Sequence, residues 1–262
     1  MSTPDDAQAR IYQHHAAEYD ALVSAEDVDQ NLLPAIARAV PGGDLRGLAV
    51  LEIGVGTGRV TRLLIEAGIT RLVGVEPAAP MLAIARQRLL GRSSARAVGA
   101  SGAGPTADVT LLEADARHLP AHLTDRPWAD VALAGWVFGH FRKWMPEGWK
   151  AAIGEALAAM RRALKPGGTL ILIETLGTGR EIPAPPTEAL GEYYHWLETE
   201  HGLRRTAIRT DYQFPDVASA ERITGFFFGD AFGARVRAQG WTRVPECTGI
   251  WAGQAAPGHS VR

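Results

Sequence analysis

The chain has 262 residues, of which 46% are hydrophobic, which is enough to bury one substantial core. With a formal net charge of −2, the composition shows no basic excess that would point to nucleic acid or an anionic membrane as partner. The single cysteine, Cys247, excludes an internal disulfide and a cysteine-based zinc cluster.

Two amphipathic helices are predicted before the first strand. The first spans residues 5–21, where Tyr12 and Tyr19 fall on one face at helical spacing. The second spans about residues 28–40, with hydrophobic residues at every fourth position, and Pro41-Gly42-Gly43 ends it. These helices are expected to pack against the core.

A glycine-rich loop follows the first predicted strand, at residues 48–53. Glycine occupies alternate positions in this loop, at Gly54, Gly56 and Gly58. Without a Cβ, the backbone there can turn sharply and lie against a ligand. Helical periodicity from Val60 onward indicates that the loop leads into the N-terminus of a helix. This pattern predicts a nucleotide site but does not separate NAD, FAD and adenosyl sulfonium ligands.

A second predicted strand, residues 71–76, ends in Glu76. An ionised carboxylate can accept two hydrogen bonds at once, which suits the two hydroxyls of a ribose. A crossover helix is predicted over residues 77–90. The small residues at 91–107 have no periodic pattern and predict a surface insertion without an assigned function.

A third predicted strand, residues 109–112, leads to Asp115, a second acid suited to the exocyclic amino group of a purine. The fourth strand, residues 129–135, opens into a loop that contains Trp136 and His140. Ligands lie beyond the carboxyl ends of parallel strands, so this loop is expected to face the reacting group. His140 is a candidate general base, because histidine takes a proton near neutral pH. The alternative is a histidine that only hydrogen-bonds the loop.

The second half of the chain begins with the clearest helix, residues 147–164, which Lys165-Pro166-Gly167-Gly168 ends before a fifth strand at 169–175. Alternating strands and helices predict a parallel sheet with right-handed crossovers. The remaining predicted elements are a helix, a strand, one or two helices and a last strand, at residues 187–201, 203–214, 216–239 and 241–252.

Taken together, the glycine loop, Glu76, Asp115 and the turn before strand five resemble the class I S-adenosylmethionine (SAM)-dependent methyltransferases, particularly the small-molecule branch. The resemblance covers about residues 10–175. It implies an α/β fold, a three-layer Rossmann-like sandwich with a mostly parallel seven-stranded sheet, an antiparallel last strand and an N-terminal helical lid. It further implies one domain over 1–262, with the lid at 1–43, the SAM-binding core at 44–175 and a substrate-covering helix and C-terminal strands at 176–262.

The resemblance also implies residue roles. The residues expected to bind the cofactor are Tyr19, Glu52, Gly54, Gly56, Gly58, Glu76, Pro77, Met81, Asp115, Ala116, Gly135 and Trp136. The residues expected to contact the substrate are Tyr12, His140, Tyr194 and His195, the last two from an aromatic-rich helix over the pocket. Arg59 either pairs with the methionyl carboxylate or covers its helix. Core packing is the alternative role for the tyrosines and Met81, and no metal ligand is expected.

The leading hypothesis is methyl transfer from SAM to an O, N or C atom of a small metabolite by in-line displacement, with S-adenosylhomocysteine as product. A base is needed only when the acceptor is protonated, as a hydroxyl is and a carboxylate is not. One alternative is a catalytically inactive SAM-binding or regulatory member of the same fold. A nicotinamide oxidoreductase is disfavoured by Asp115 and by the turn before strand five.

The expected partner is a small-molecule substrate, with no nucleic acid and no membrane. The first residues lack a signal peptide and no stretch has the apolar length of a membrane span, so a cytoplasmic protein is expected. The sequence leaves the oligomeric state open, with a homodimer as one option.

Overall fold

The computed structural model describes residues 10–95 and 107–255, with side chains for 10–89 and 107–255. The strands are β1 (Ala49–Ile53), β2 (Arg71–Glu76), β3 (Asp108–Glu113), β4 (Ala129–Gly135), β5 (Leu164–Thr178), β6 (Arg204–Arg209), β7 (Tyr212–Gln213), β8 (Arg243–Val244) and β9 (Glu246–Gln254). The helices are α1 (Ala16–Ala25), α2 (Leu32–Ala39), α3 (Arg59–Glu66), α4 (Ala79–Ala95), α5 (Phe138–Trp144), α6 (Trp149–Ala163), α7 (Glu188–Thr199), α8 (Val217–Phe228) and α9 (Asp230–Gln239).

A seven-stranded sheet with the order β3-β2-β1-β4-β5-β9-β6 forms the centre of the fold. Neighbours from β3 to β5 are parallel, whereas β9 lies antiparallel between β5 and β6. Strands β7 and β8 form a separate antiparallel pair. The predicted mostly parallel sheet with an antiparallel last strand is confirmed.

Helices cover both faces of this sheet, because successive residues of its central strands point to opposite sides. On one face, Leu51 and Leu172 belong to a core with residues of α5, α6 and α7. On the other face, Val50 and Ile171 belong to a core with residues of α2 and α3. The predicted three-layer sandwich is therefore also confirmed.

A smaller apolar cluster joins the N-terminal helix to the C-terminal part of the chain. Leu22 of α1 packs with Tyr212 and Phe214 and with residues of α8 and α9. This cluster holds α1 beside the carboxyl end of the sheet, where the candidate site lies.

Helix α5 (Phe138–Trp144) stands where the sequence predicts a loop over residues 136–141. Its first turn is stabilised by Glu174 of β5, whose Oε1 accepts hydrogen bonds from the backbone amides of Phe138 at 3.1 Å and Gly139 at 3.0 Å. A carboxylate at a helix N-terminus satisfies amides that lack partners within the helix. The cap comes from a distant strand, so no local sequence pattern shows it.

Several predicted boundaries also change. Of the predicted helix at 5–21, residues 10–14 are helical, His15 interrupts it, and α1 continues from Ala16 to Ala25, beyond the predicted end at 21. The predicted strand 203–214 divides into β6 and β7, and the predicted last strand divides into β8 and β9. Of the predicted insertion at 91–107, residues 91–95 belong to α4, and residues 96–106 lie outside the described residues. Within the described residues, no helix combines the length and apolar character needed to cross a membrane.

Candidate functional site

The glycine loop between β1 and α3 lies against β2 and α5. Gly54, Gly56 and Gly58 have φ angles of 73°, 57° and 83°, in the left-handed region that favours glycine. The amides of Gly54 and Val55 donate to the Val75 carbonyl at 2.8 and 3.1 Å, which fixes the loop to β2. The loop backbone is therefore held in place at the carboxyl edge of the sheet.

Replacing Gly54 with alanine is expected to lower the free energy of unfolding by about 2 kcal/mol, through strain and overpacking. The new Cβ would lie 2.3 Å from Cγ2 of Val137, at a φ of +73°. Chemical denaturation of the variant measures the effect. Gly148→Ala is the control, because a Cβ there meets nothing within 4 Å; equal losses in the two variants would contradict the argument.

Glu76 ends β2 and binds the glycine loop directly. One of its carboxylate oxygens accepts from the Gly56 amide and the other from the Ala78 amide, each at 2.9 Å. Burial raises the pKa of Glu76. Because each carboxylate oxygen can accept two hydrogen bonds, both retain capacity for a hydroxyl donor.

Asp115 lies at the same sheet edge as Glu76, since the Cα partner of Glu76 in β3 is Glu113. A cavity of about 190 Å³ opens there, lined by Gly54, Pro77, Asp115 and Ala116. Arg117 pairs with Asp115 at 2.6 Å and lowers the pKa of that carboxyl. The cavity also has apolar walls from Val137 and the side chains of α5. A flat heteroaromatic ring that carries an amino group suits this combination.

A larger cavity of about 820 Å³ lies beside the first, with Trp136, Tyr12, Tyr19 and His140 in its lining. Trp136 lines the large cavity and the next residue, Val137, lines the small one, so consecutive residues after β4 border the two cavities. Trp136 has a φ of 55°, which is uncommon for a bulky residue and costs about 1–3 kcal/mol. Strain of this kind concentrates at functional sites, which agrees with the position of Trp136.

Tyr12 and His140 contact each other in the large cavity. The Tyr12 hydroxyl and Nε2 of His140 are 2.9 Å apart, and the imidazole stacks on Trp144. Burial, with a smaller effect of Lys143, lowers the pKa of His140 to about 4. His140 is therefore neutral at pH 7 and has one ring nitrogen able to accept a proton.

A buried ion pair connects the N-terminal segment to the glycine loop. Arg59 Nη2 lies 2.9 Å from Glu26 Oε2, and the two side chains are 12% and 4% exposed. The Arg59 guanidinium also lies over the Trp136 ring, 4.7 Å from its centroid. The remaining terminal atoms, Glu26 Oε1 and Arg59 Nη1, are buried without a hydrogen-bond partner. Sequence analysis missed Glu26, because nothing in its local pattern distinguishes it from a solvated acid.

The structure corrects the expected position of Glu52. This residue is 1% exposed, accepts a hydrogen bond from Oγ1 of Thr61 at 2.7 Å and lines neither cavity. Burial raises the pKa of Glu52 to about 8. Glu52 therefore connects β1 to α3 within the core, and Glu26 is the acid with a free oxygen near the glycine loop.

The two expected substrate contacts from α7 are corrected as well. The Tyr194 hydroxyl donates to the Thr175 carbonyl at 2.7 Å and its ring packs on Trp251, while His195 is exposed. Ala189 and Leu190, one turn earlier, line the large cavity instead. A helix presents one face to a pocket, and aromatic content alone does not identify that face.

Three further expected cofactor residues surround the loop. Met81 and Tyr19 lie closest to the position that a Cβ on Gly56 would occupy, at 3.8 and 3.9 Å. Gly135 ends β4, immediately before Trp136. Tyr19 also lines the large cavity, whereas Met81 lines neither cavity, is 2% exposed and belongs to an apolar cluster with Ala16 and Ala78.

Comparison with known proteins agrees with this architecture. A family model for a methyltransferase domain matches residues 51–172. An uncharacterised methyltransferase of Geobacillus kaustophilus is 28% identical over 173 residues, which cover 65% of this chain and 68% of that protein.

Among solved structures, phosphoethanolamine N-methyltransferase 2 of Haemonchus contortus, in complex with phosphomonomethylethanolamine and S-adenosylhomocysteine, has a TM-score of 0.58 and 16% identity. That comparison covers 98% of this chain and 61% of the other. The [4+2]-cyclase SpnF has a TM-score of 0.58 and 16% identity, with 98% of each chain covered. At these identities the solved structures establish the fold alone. The family match over the glycine loop and the core strands leads to one assignment: residues 51–172 are a methyltransferase domain of the class I SAM-dependent family, whose cofactor is SAM.

Proposed function

We propose that the protein transfers a methyl group from SAM to an O, N or C atom of a small-molecule metabolite held in the 820 Å³ cavity. The observation that carries the proposal is the presence of two cavities beyond the carboxyl end of β4, the larger bordered by Trp136 and the smaller by Val137. A nucleoside in the smaller cavity would place its reactive end at the entrance to the larger one. The proposal treats residues 1–262 as one domain of a cytoplasmic enzyme, with the lid at 1–43, the core at 44–175 and the substrate cover at 176–262.

The residues at the small cavity fit the adenosine part of the cofactor. Glu76 has unused acceptor capacity for the ribose hydroxyls, and Asp115 can accept from the adenine amino group. Pro77 and Ala116 supply the cavity wall around the base. The backbone of the glycine loop lies close enough to a ligand to replace side-chain contacts.

The Glu26–Arg59 pair fits the methionyl end of the cofactor. An amino acid tail carries one ammonium and one carboxylate, and the pair has one buried acceptor oxygen and one buried donor nitrogen without partners. Arg59 Nη1 would donate to the carboxylate, and Glu26 Oε1 would accept from the ammonium. Tyr19 lines the same cavity and would cover this part of the ligand.

SAM supplies a methyl group that is already electrophilic, so the residues of this chain need only bind, orient and exclude water. Positioning of two reactants in this way can correspond to effective molarities of about 10⁵ M or more. For a hydroxyl acceptor, His140 is the group that would take the proton, because it is neutral and lines the cavity. Tyr12 would fix the orientation of the imidazole through its 2.9 Å contact with Nε2.

Replacing His140 with alanine is expected to lower kcat about 100-fold for a hydroxyl acceptor, the lower end of the usual contribution of a general base. For a carboxylate acceptor no base is needed, and kcat should change little. Steady-state rates with both acceptor types separate the cases. Tyr12→Phe is the companion variant, expected to give a smaller loss, and unchanged SAM affinity in both would show that the cofactor site is intact. Equal losses for hydroxyl and carboxylate acceptors would contradict the role as base.

The proposed function is tested by incubating the protein with methyl-labelled SAM and a metabolite panel while following S-adenosylhomocysteine. Label in one acceptor, with a matching amount of S-adenosylhomocysteine, is the expected result. SAM binding without transfer to any acceptor would favour the catalytically inactive alternative. Failure to bind SAM in calorimetry would overturn both.

A further inference from the structure

Glu246, the first residue of β9, is a buried carboxylate in the wall of the large cavity. It is 1% exposed, and its Oε1 accepts a hydrogen bond from Oγ1 of Thr175 at 2.8 Å. Its Oε2 is buried without a hydrogen-bond partner. Leaving a buried polar atom unpaired is costly, so this oxygen marks a position where a bound molecule would supply a donor.

The charges around Glu246 favour a cationic donor. Glu26, on the other side of the same cavity, repels Glu246 and adds to the effect of burial, which raises the pKa of Glu246 to about 8. None of the ion pairs among the described side chains includes Glu246. Asp211, whose carboxylate accepts from the Glu246 amide, is already paired with Arg209 and Arg243 at 2.8 Å each. Among the described side chains Glu246 therefore has no cationic partner, and a bound cation would stabilise its ionised form.

The rest of the lining suits an organic cation. Aromatic rings form much of the wall around the two glutamates, namely Tyr12, Tyr19, Tyr212, Phe227 and Phe228. The faces of such rings attract ammonium groups. Arg142 also lines the cavity; its Nη2 is paired with Glu192 at 2.6 Å, whereas its Nε is buried without a hydrogen-bond partner, and Lys143 is exposed.

We infer that the methyl acceptor carries a basic nitrogen, which binds as an ammonium to Oε2 of Glu246 within the aromatic wall. The inference rests on the proposed function and adds the chemical class of its substrate. It assigns Glu246 to the acceptor, whereas Glu26 and Arg59 serve the cofactor tail.

Matched amines and alcohols test this inference directly. The probes are benzylamine, phenethylamine and tryptamine, each paired with the corresponding alcohol, titrated into the protein saturated with S-adenosylhomocysteine. At least one amine is expected to bind, and its alcohol at least tenfold more weakly. In Glu246→Gln that amine should lose at least tenfold in affinity, while the alcohol and S-adenosylhomocysteine bind as in the wild type. Glu200→Gln, on the exposed end of α7, is the control and should change nothing.

The inference would be overturned if none of the three amines bound, or if each amine bound no more tightly than its alcohol. An unchanged amine affinity in Glu246→Gln would overturn it as well. These outcomes are separate from failure of the proposed function, which would appear as loss of S-adenosylhomocysteine binding in the wild type.

If Glu246→Gln does not fold, the inference can be tested on the wild type alone, by measuring the protons released when the amine binds. Burial and the charge of Glu26 favour the protonated form of Glu246 in the empty cavity, and an ammonium beside it favours the carboxylate, so amine binding should release a proton. The groups that face Glu246 are the same in the amine and alcohol titrations, namely Glu26, Thr175, Thr178, Tyr194, Asp211, Tyr212 and Cys247. Calorimetry in phosphate and in Tris measures the release, and equal heats in both buffers would overturn the inference.

Discussion

Replacing Glu76 with alanine is expected to weaken SAM binding about 1000-fold. In our proposal this carboxylate accepts from both ribose hydroxyls, and hydrogen bonds to a charged group contribute about 1.5–3 kcal/mol each. Two such bonds amount to about 4 kcal/mol, or roughly three factors of ten. The variant also loses the 2.9 Å contact from the Gly56 amide, which orders the glycine loop before the ligand arrives.

Isothermal titration with SAM and with S-adenosylhomocysteine measures the effect. Glu113→Ala is the matched control, because Glu113 is the Cα partner of Glu76 in β3 and its side chain is exposed. Glu76→Gln should fall between the two, since its amide nitrogen cannot accept from Gly56 or Ala78. If Glu76→Ala and Glu113→Ala bind SAM equally well, the ribose assignment is wrong.

The centre of the fold could be predicted because its signals are local. Apolar runs ending in Ile53, Glu76 and Gly135 correspond to β1, β2 and β4 to within a residue or two. The prediction that Glu76 and Asp115 meet at one edge required only that parallel strands end together, and the β2–β3 register agrees with it. The proximity of the two acids could therefore be predicted from the parallel pairing of β2 and β3 alone.

The large cavity could not be predicted in the same way, because distant segments form it. Glu26 follows α1, Glu174 lies within β5 and Glu246 begins β9, and no spacing in the sequence relates them. Their burial makes them functional candidates, and in the sequence they look like ordinary surface acids. The sequence correctly predicts a helix at α7. The face that this helix turns towards the cavity depends on the packing of Tyr193 and Trp196 against Trp149, which the sequence does not show.

Replacing Arg59 with methionine is expected to lower the free energy of unfolding by about 3–5 kcal/mol, in the absence of any ligand. The change removes the 2.9 Å partner of Glu26 and leaves a carboxylate that is 4% exposed without a compensating charge. It also removes the guanidinium from the face of Trp136, a smaller loss of about 1 kcal/mol. Urea denaturation at pH 7 gives the difference from the wild type.

Arg62→Met is the matched control on the same helix. Its pair with Glu66 is longer, at 3.6 Å, and the two side chains are 43% and 34% exposed. Exposed pairs of this kind contribute about 0–1 kcal/mol. A loss in Arg59→Met no greater than that in Arg62→Met would show that the Glu26–Arg59 pair does not stabilise the N-terminal segment.

The double variant Arg59→Met/Glu26→Gln separates the loss of the Glu26–Arg59 attraction from the cost of leaving the Glu26 carboxylate buried without a counter-ion. Because a neutral glutamine needs no counter-ion, the double variant should recover most of the stability that Arg59→Met loses.

The pH dependence of the stability of Arg59→Met should agree in sign with this explanation. Burial already raises the pKa of Glu26, and removal of Arg59 raises it further. Between the pKa of an unfolded carboxyl and this raised pKa, the folded state therefore binds more protons than the unfolded state, and a lower pH favours folding. The deficit of Arg59→Met should therefore shrink as the pH falls from 7 towards 5, and a deficit that grows over this range would mean that its origin is not the Glu26 charge.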